Sequence, residues 1–193
     1  PAFAWWVPYT LRKRDNIIAA VNKRVRLTST KYGIKVPRTK KEAIELDRIN
    51  GNTLWQDAID KEMRNVAVAF KLLPEGDKPA KGYKYVGFHM VYDVKMDFTR
   101  KARLVADGHK TPDPVASTYA GVVSRETVRI AMLYSAMNDV PIVAGDIQNA
   151  YLQAPSSEKH YIICGTEFGI ENVGKVALIR RALYGGKCAG RDF

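Results

Sequence analysis

The stretch that decides the reading runs Val140-Pro141-Ile142-Val143-Ala144-Gly145-Asp146-Ile147-Gln148-Asn149-Ala150-Tyr151-Leu152. A short apolar run ends in one acid, Asp146, and an aromatic, Tyr151, follows five residues later. Such a run predicts a buried strand that turns into a helix near Asn149 to Gln153. A carboxylate at the end of a buried strand is costly unless something pairs with it, and a metal ion is one common partner. An acid that caps the following turn is the other reading, and spacing alone leaves both open.

Working outward, Ser124 predicts the N-cap of a helix with Glu126 in its first turn. Val128 to Ala136 is apolar nearly all round apart from Arg129 and Ser135. That pattern predicts a well-buried helix with Arg129 as a buried ion-pair partner. Upstream, Val86, Phe88, Met90, Tyr92, Val94 and Met96 alternate with more polar neighbours, a long half-buried strand. Asp97-Phe98 turns it, and Arg100 to Ala106 returns as the second arm of a hairpin. Lys101 and Arg103 alternate with Ala102 and Leu104 and so share its polar face. Asp107-Gly108 closes the hairpin, and Lys110 to Ser117 is a Pro-containing loop.

Thr39-Lys40-Lys41-Glu42 is a capping-box pattern and Asn50-Gly51 a stop, so a short helix lies between. Thr53-Leu54-Trp55-Gln56 repeats the box and opens a helix with Trp55, Ala58, Ile59, Met63, Val66 and Phe70 on one face, ended by Pro74-Glu75-Gly76. Lys31 to Lys41 reads as a basic connector. A further helix is predicted from Thr10 on Leu11, Ile17, Ile18, Val21 and Val25, after an extended Pro1 to Pro8. Its outer face carries Arg12, Lys13, Arg14, Lys23 and Arg24, which either track a phosphate backbone or are solvated. His160 to Cys164 and Lys175 to Ile179 read as short strands. Helices first, then a hairpin and helix-strand mixtures, predict an α+β fold.

The chain has 193 residues, 46% hydrophobic and 26% charged, enough for one sizeable core. No apolar run approaches the length of a membrane helix. Two cysteines are too few for a disulfide framework, and three scattered histidines give no zinc spacing, so an intracellular protein is the default. The net charge is +11, and it is uneven. Residues 1–50 hold 12 Lys and Arg against 4 Asp and Glu, a net +8, which suggests a polyanion partner.

Several stretches, in order, share one pattern. They are Leu54-Trp55-x-x-Ala58-x-x-x-Glu62, Lys101-Ala102-Arg103-Leu104-Val105-Ala106-x-Gly108 and Thr118-Tyr119-Ala120-x-Val122-Val123-Ser124-Arg125-x-x-Val128-Arg129. Asp146-Ile147-x-Asn149-Ala150-Tyr151-Leu152 and Leu183-Tyr184-Gly185-x-Lys187 follow. Together they resemble the reverse transcriptase of copia-type LTR retrotransposons, in its diatom-like, lower-eukaryote branch. The resemblance implies the fingers and partial palm of a right-hand polymerase over residues 54–193, behind a basic, mainly helical segment at 1–53. It implies two Mg²⁺ (or Mn²⁺) ions roughly 4 Å apart in the intact domain, held by Asp146 and the backbone carbonyl of Ile147 among others. It further implies contacts to the incoming dNTP from Lys101, Arg103, Asn149, Ala150, Gly185 and Lys187, with Tyr151 as the steric gate against ribonucleotides. RNA template, DNA primer and the rest of a polyprotein are the implied partners, with no membrane. A cytoplasmic virus-like particle or the nucleus is the implied place.

The sequence also departs from the family. Gly186 stands where the family has Leu, and Cys188 where it has Gln or Ser. The metal site needs two further aspartates, adjacent in a Tyr-x-Asp-Asp hairpin, and this sequence contains no Asp-Asp pair. One carboxylate cannot hold two Mg²⁺ ions. The expectation is therefore a fragment that does not polymerise alone and binds no metal tightly. A non-catalytic nucleic-acid-binding module or a truncated relic reading frame is the alternative.

Overall fold

The computed structural model describes residues 13, 14, 16, 30–114 and 117–193. Among them, five helices and three small sheets make an α+β chain. It divides into two compact units, Pro1–Ala58 with Tyr92–Ala102, and Ile59–Val91 with Arg103–Phe193.

In the first unit, Lys13, Arg14 and Asn16 are helical and both basic residues are exposed; Arg12, Lys23, Arg24 and the extended Pro1 to Pro8 lie outside the described residues. The stretch read as a basic connector contains a hairpin, β1 (Thr30–Lys31) and β2 (Ile34–Lys35). Tyr32 and Gly33, at φ 52° and 79°, form its two-residue turn, which matches the twist of the paired strands. Helix α1 (Lys40–Asn50) starts as expected: Thr39 Oγ1 accepts from the Glu42 N–H at 3.1 Å. Gly51, at φ 64°, ends it in the left-handed conformation.

Helix α2 (Leu54–Val66) forms, but its cap differs from the expected box. The buried Asp47 of α1 accepts from the N–H groups of Trp55 (3.0 Å) and Gln56 (2.9 Å), while Thr53 bonds Asp57. An acid eight residues upstream thus satisfies two of the free donors of the helix start. Trp55 is buried and packs edge-on to Tyr92 at 5.8 Å, with the Arg100 guanidinium 5.7 Å from the indole ring.

The second unit is built on a four-stranded sheet in the order β3 (Phe70–Leu72), β8 (Val176–Ile179), β7 (His160–Ile163), β4 (Lys84–Tyr85). Only β4 and β7 run parallel. The helical reading through Phe70 is corrected here. Helix α2 ends at Val66, and Phe70 pairs with Ile179 in the sheet. An apolar residue ahead of a proline serves a strand as well as a helix, and the ladder to β8 decides.

Strands β5 (Phe88–Val94) and β6 (Arg100–Ala106) form the expected hairpin, with Met90, Tyr92 and Val94 buried on one arm and Ala102, Leu104 and Ala106 on the other. Glu62 Oε1 accepts from the Leu104 N–H at 3.0 Å. Phe168 packs edge-on to both Phe70 and Phe88, at 5.1 and 5.6 Å.

Two expectations fail together. Helix α3 (Arg125–Asn138) forms with its Ser124 cap, yet none of its residues is buried; Ile130 is 67% exposed and Leu133 61%. Arg129 is accordingly exposed, with no ion pair among the described residues. The stretch 140–147 is not a strand, and Val143 is 91% exposed. A strand exists only against a ladder partner and a helix face is buried only against another element; the described residues offer neither with either segment.

Candidate functional site

The site grows from the end of β6. The Ala106 N–H donates to the Tyr184 carbonyl at 2.8 Å, docking the turn 183–187 against the strand. Two glycines allow this approach. Gly185 has φ +84°, and a Cβ there would lie 2.1 Å from the Ala106 carbonyl oxygen. A Cβ on Gly108 would lie 2.2 Å from the carbonyl oxygen of Gly185. Only backbone without side chains fits such a contact.

Asp107, between these points, is 7% exposed. Its carboxylate accepts from Lys110 Nζ at 2.7 Å and pairs with His89 Nδ1 at 2.6 Å. The Lys110 hydrogen bond, joined by His89, holds the Asp107 carboxyl below its ordinary range against the opposing effect of burial.

The docked turn sets up a stack. The Arg103 guanidinium lies 4.8 Å from the centre of the Tyr184 ring. Tyr184 meets Tyr151 at 4.9 Å with a 60° tilt, and Tyr151 meets Phe193 edge-on at 6.3 Å. Tyr151 sits on the short helix α4 (Ala150–Gln153), where the turn expected after Asp146 does form. Asn149 precedes it at φ 52°, Leu152 is buried, and Tyr151 packs on the buried cluster of Ala154, Ala182 and Ala189. Lys187 Nζ donates to the Thr111 carbonyl at 2.7 Å and to Asp113 at 2.6 Å, and the Lys187 hydrogen bond holds the Asp113 carboxyl below its ordinary range.

Arg103, Tyr151, Gly185 and Lys187 come from three separate motifs, and one unit holds them all. The family described as "Reverse transcriptase (RNA-dependent DNA polymerase)" has a sequence model that matches residues 70–193, well over half of the chain. The chain belongs to the reverse transcriptase family. No curated protein and no solved structure matches it. Reverse transcriptase membership implies nucleic-acid substrates and a divalent metal in the intact enzyme. No helix among the described residues is long and apolar enough to cross a membrane.

Asn149 and Ala150 adjoin Tyr151 at the start of α4. Asp146 is exposed and Ile147 is 59% exposed, both on the irregular stretch. No group of three or more His, Cys, Asp or Glu side chains comes together among the described residues. A divalent ion of the Mg²⁺ kind takes six oxygens in near-octahedral array, and the single exposed carboxylate of Asp146 supplies too few of them to hold two such ions. Lys101 shares the polar face of β6 with Arg103 but belongs to the first unit. Both cysteines are buried, and burial pushes both thiols up, so neither offers a thiolate nucleophile.

Sequence reasoning gave no role to Tyr184 or Asp107. Tyr184 stands inside the Leu183-Tyr184-Gly185 motif, but nothing local marks an arginine 81 positions earlier as its partner. The Asp107-Gly108 pair reads as a turn, and only the fold brings His89 to it.

Proposed function

We propose that this chain is the nucleotide-facing part of a copia-type retrotransposon reverse transcriptase of the diatom-like branch. The observation that carries the reading is the stack of Arg103, Tyr184 and Tyr151, which joins a fingers-like strand, the turn 183–187 and the helix after Asp146. Arg103 offers a planar, permanently charged fork to the triphosphate of a dNTP. The Tyr151 ring would block a projecting ribose 2′-hydroxyl, and the backbone N–H groups of Asn149 and Ala150, next to it in the chain, would hold phosphate oxygens. Gly185 gives the nucleotide a turn without side-chain bulk, and Lys187 reaches a phosphate only by giving up Asp113.

The phosphoryl-transfer step needs a metal site that these residues do not make. Asp146 would supply one carboxylate to that site, which needs further acids. Titration of dTTP into the full chain tests the reading. Arg103→Ala is expected to weaken binding about tenfold or more, the worth of one charge-assisted hydrogen bond. Binding unaffected by that change contradicts it. Primer extension by this chain alone, above an Asp146→Ala control, contradicts the view that these residues make no complete metal site.

A second reading, a basic module that grips nucleic acid without chemistry, is favoured by one observation. The charge excess concentrates in residues 1–50, where Lys13 and Arg14 stand exposed on a helix.

A further inference from the structure

Arg103 has no ion pair among the described residues; its guanidinium lies over the face of Tyr184, whose ring also meets Tyr151. We infer that Tyr184 is a positioning residue that holds the Arg103 guanidinium ready for a triphosphate anion. The inference deepens the nucleotide-site reading above and rests on it.

Three features carry it. First, a ring face attracts a guanidinium by its quadrupole without occupying the N–H donors at its edge. An acid partner would use up those same donors, so a stacked arginine stays available to an incoming anion. Second, the Tyr184 backbone is itself fixed. Its carbonyl takes the Ala106 N–H, and the contact between Gly108 and Gly185 locks the turn to the strand that bears Arg103. Third, Tyr151 closes on Tyr184 at 4.9 Å, and Tyr151 in turn rests on the Ala154, Ala182 and Ala189 cluster. An arginine loses rotamer freedom when it binds an anion, and a stack that orders it beforehand removes part of that cost.

The experiment measures the affinity of the full chain for inorganic tripolyphosphate, which reads the cation without the base or sugar. The variants are Tyr184→Trp, Tyr184→Phe, Tyr184→His and Tyr184→Leu, each in the wild-type and the Arg103→Ala background. Affinity is expected to be unchanged or higher in Trp and Phe, and to fall about two- to fivefold in Leu, with His between. In the Arg103→Ala background the series is expected to go flat, because the partner is gone. If Tyr184→Leu does not fold, the Trp, Phe and His variants decide. A flat series on wild type overturns the inference and leaves the nucleotide site standing. A series equally graded without Arg103 also overturns it, since Tyr184 then acts on the fold alone. A wild-type chain that fails to bind tripolyphosphate overturns both.

Discussion

At the scale of single residues, the two glycines at the strand-turn junction are the least replaceable. Gly185→Ala meets a left-handed φ and a backbone oxygen 2.1 Å from the new Cβ. Gly108→Ala meets the other side of the same contact at 2.2 Å. Neither obstacle is a flexible side chain, so each substitution is expected to cost about 3 kcal/mol or more in urea unfolding. Asp107 makes a pH prediction. Its folded-state pKa is depressed, chiefly by the Lys110 hydrogen bond, so its contribution is present above the unfolded value of about 4. That contribution is lost as pH falls through the folded value. Urea midpoints followed from pH 7 to 3 should drop more steeply in wild type than in Asp107→Asn, and equal slopes refute the assignment. Asp107 was legible only as a turn residue, because its partners His89 and Lys110 reach it through the hairpin and the following 3-10 turn.

Among the elements, legibility followed the source of the information. The β5-β6 hairpin carries its own pattern, an alternating run, a polar turn and a second alternating run, and it formed as read. Helix α2 was legible as a helix, but its cap was not. Thr53 has the right chemistry at the right place, yet Asp47 reaches the two N–H groups because α1 ends close by. Asp47→Ala is therefore expected to destabilise the protein by about 1–2 kcal/mol in chemical denaturation, and Thr53→Ala by a few tenths. Helix α3 and the stretch 140–147 show the opposite case. Their apolar composition predicts burial, but burial belongs to a pair of surfaces and a strand belongs to a ladder. Composition says that a face wants cover, not that the cover lies within the same residues.

Over the whole molecule, the family was legible because five motifs kept their order, although each alone is weak. The convergence of Arg103, Tyr184 and Tyr151 was not, since it depends on how the terminal turn docks on β6. The charge excess carries its own expectation. Binding to a primer-template should weaken steeply with salt, and Lys13→Ala with Arg14→Ala should lower the slope of log K against log salt by up to about 0.9 per lost phosphate contact. An unchanged slope would place these two residues away from nucleic acid. If the stack faces an incoming deoxynucleotide, the full chain must distinguish dCTP from CTP. Wild type is expected to prefer dCTP by about tenfold or more, and Tyr151→Ala to bring the two affinities together by admitting CTP. Equal affinities in wild type, or a preference that survives Tyr151→Ala, would contradict it.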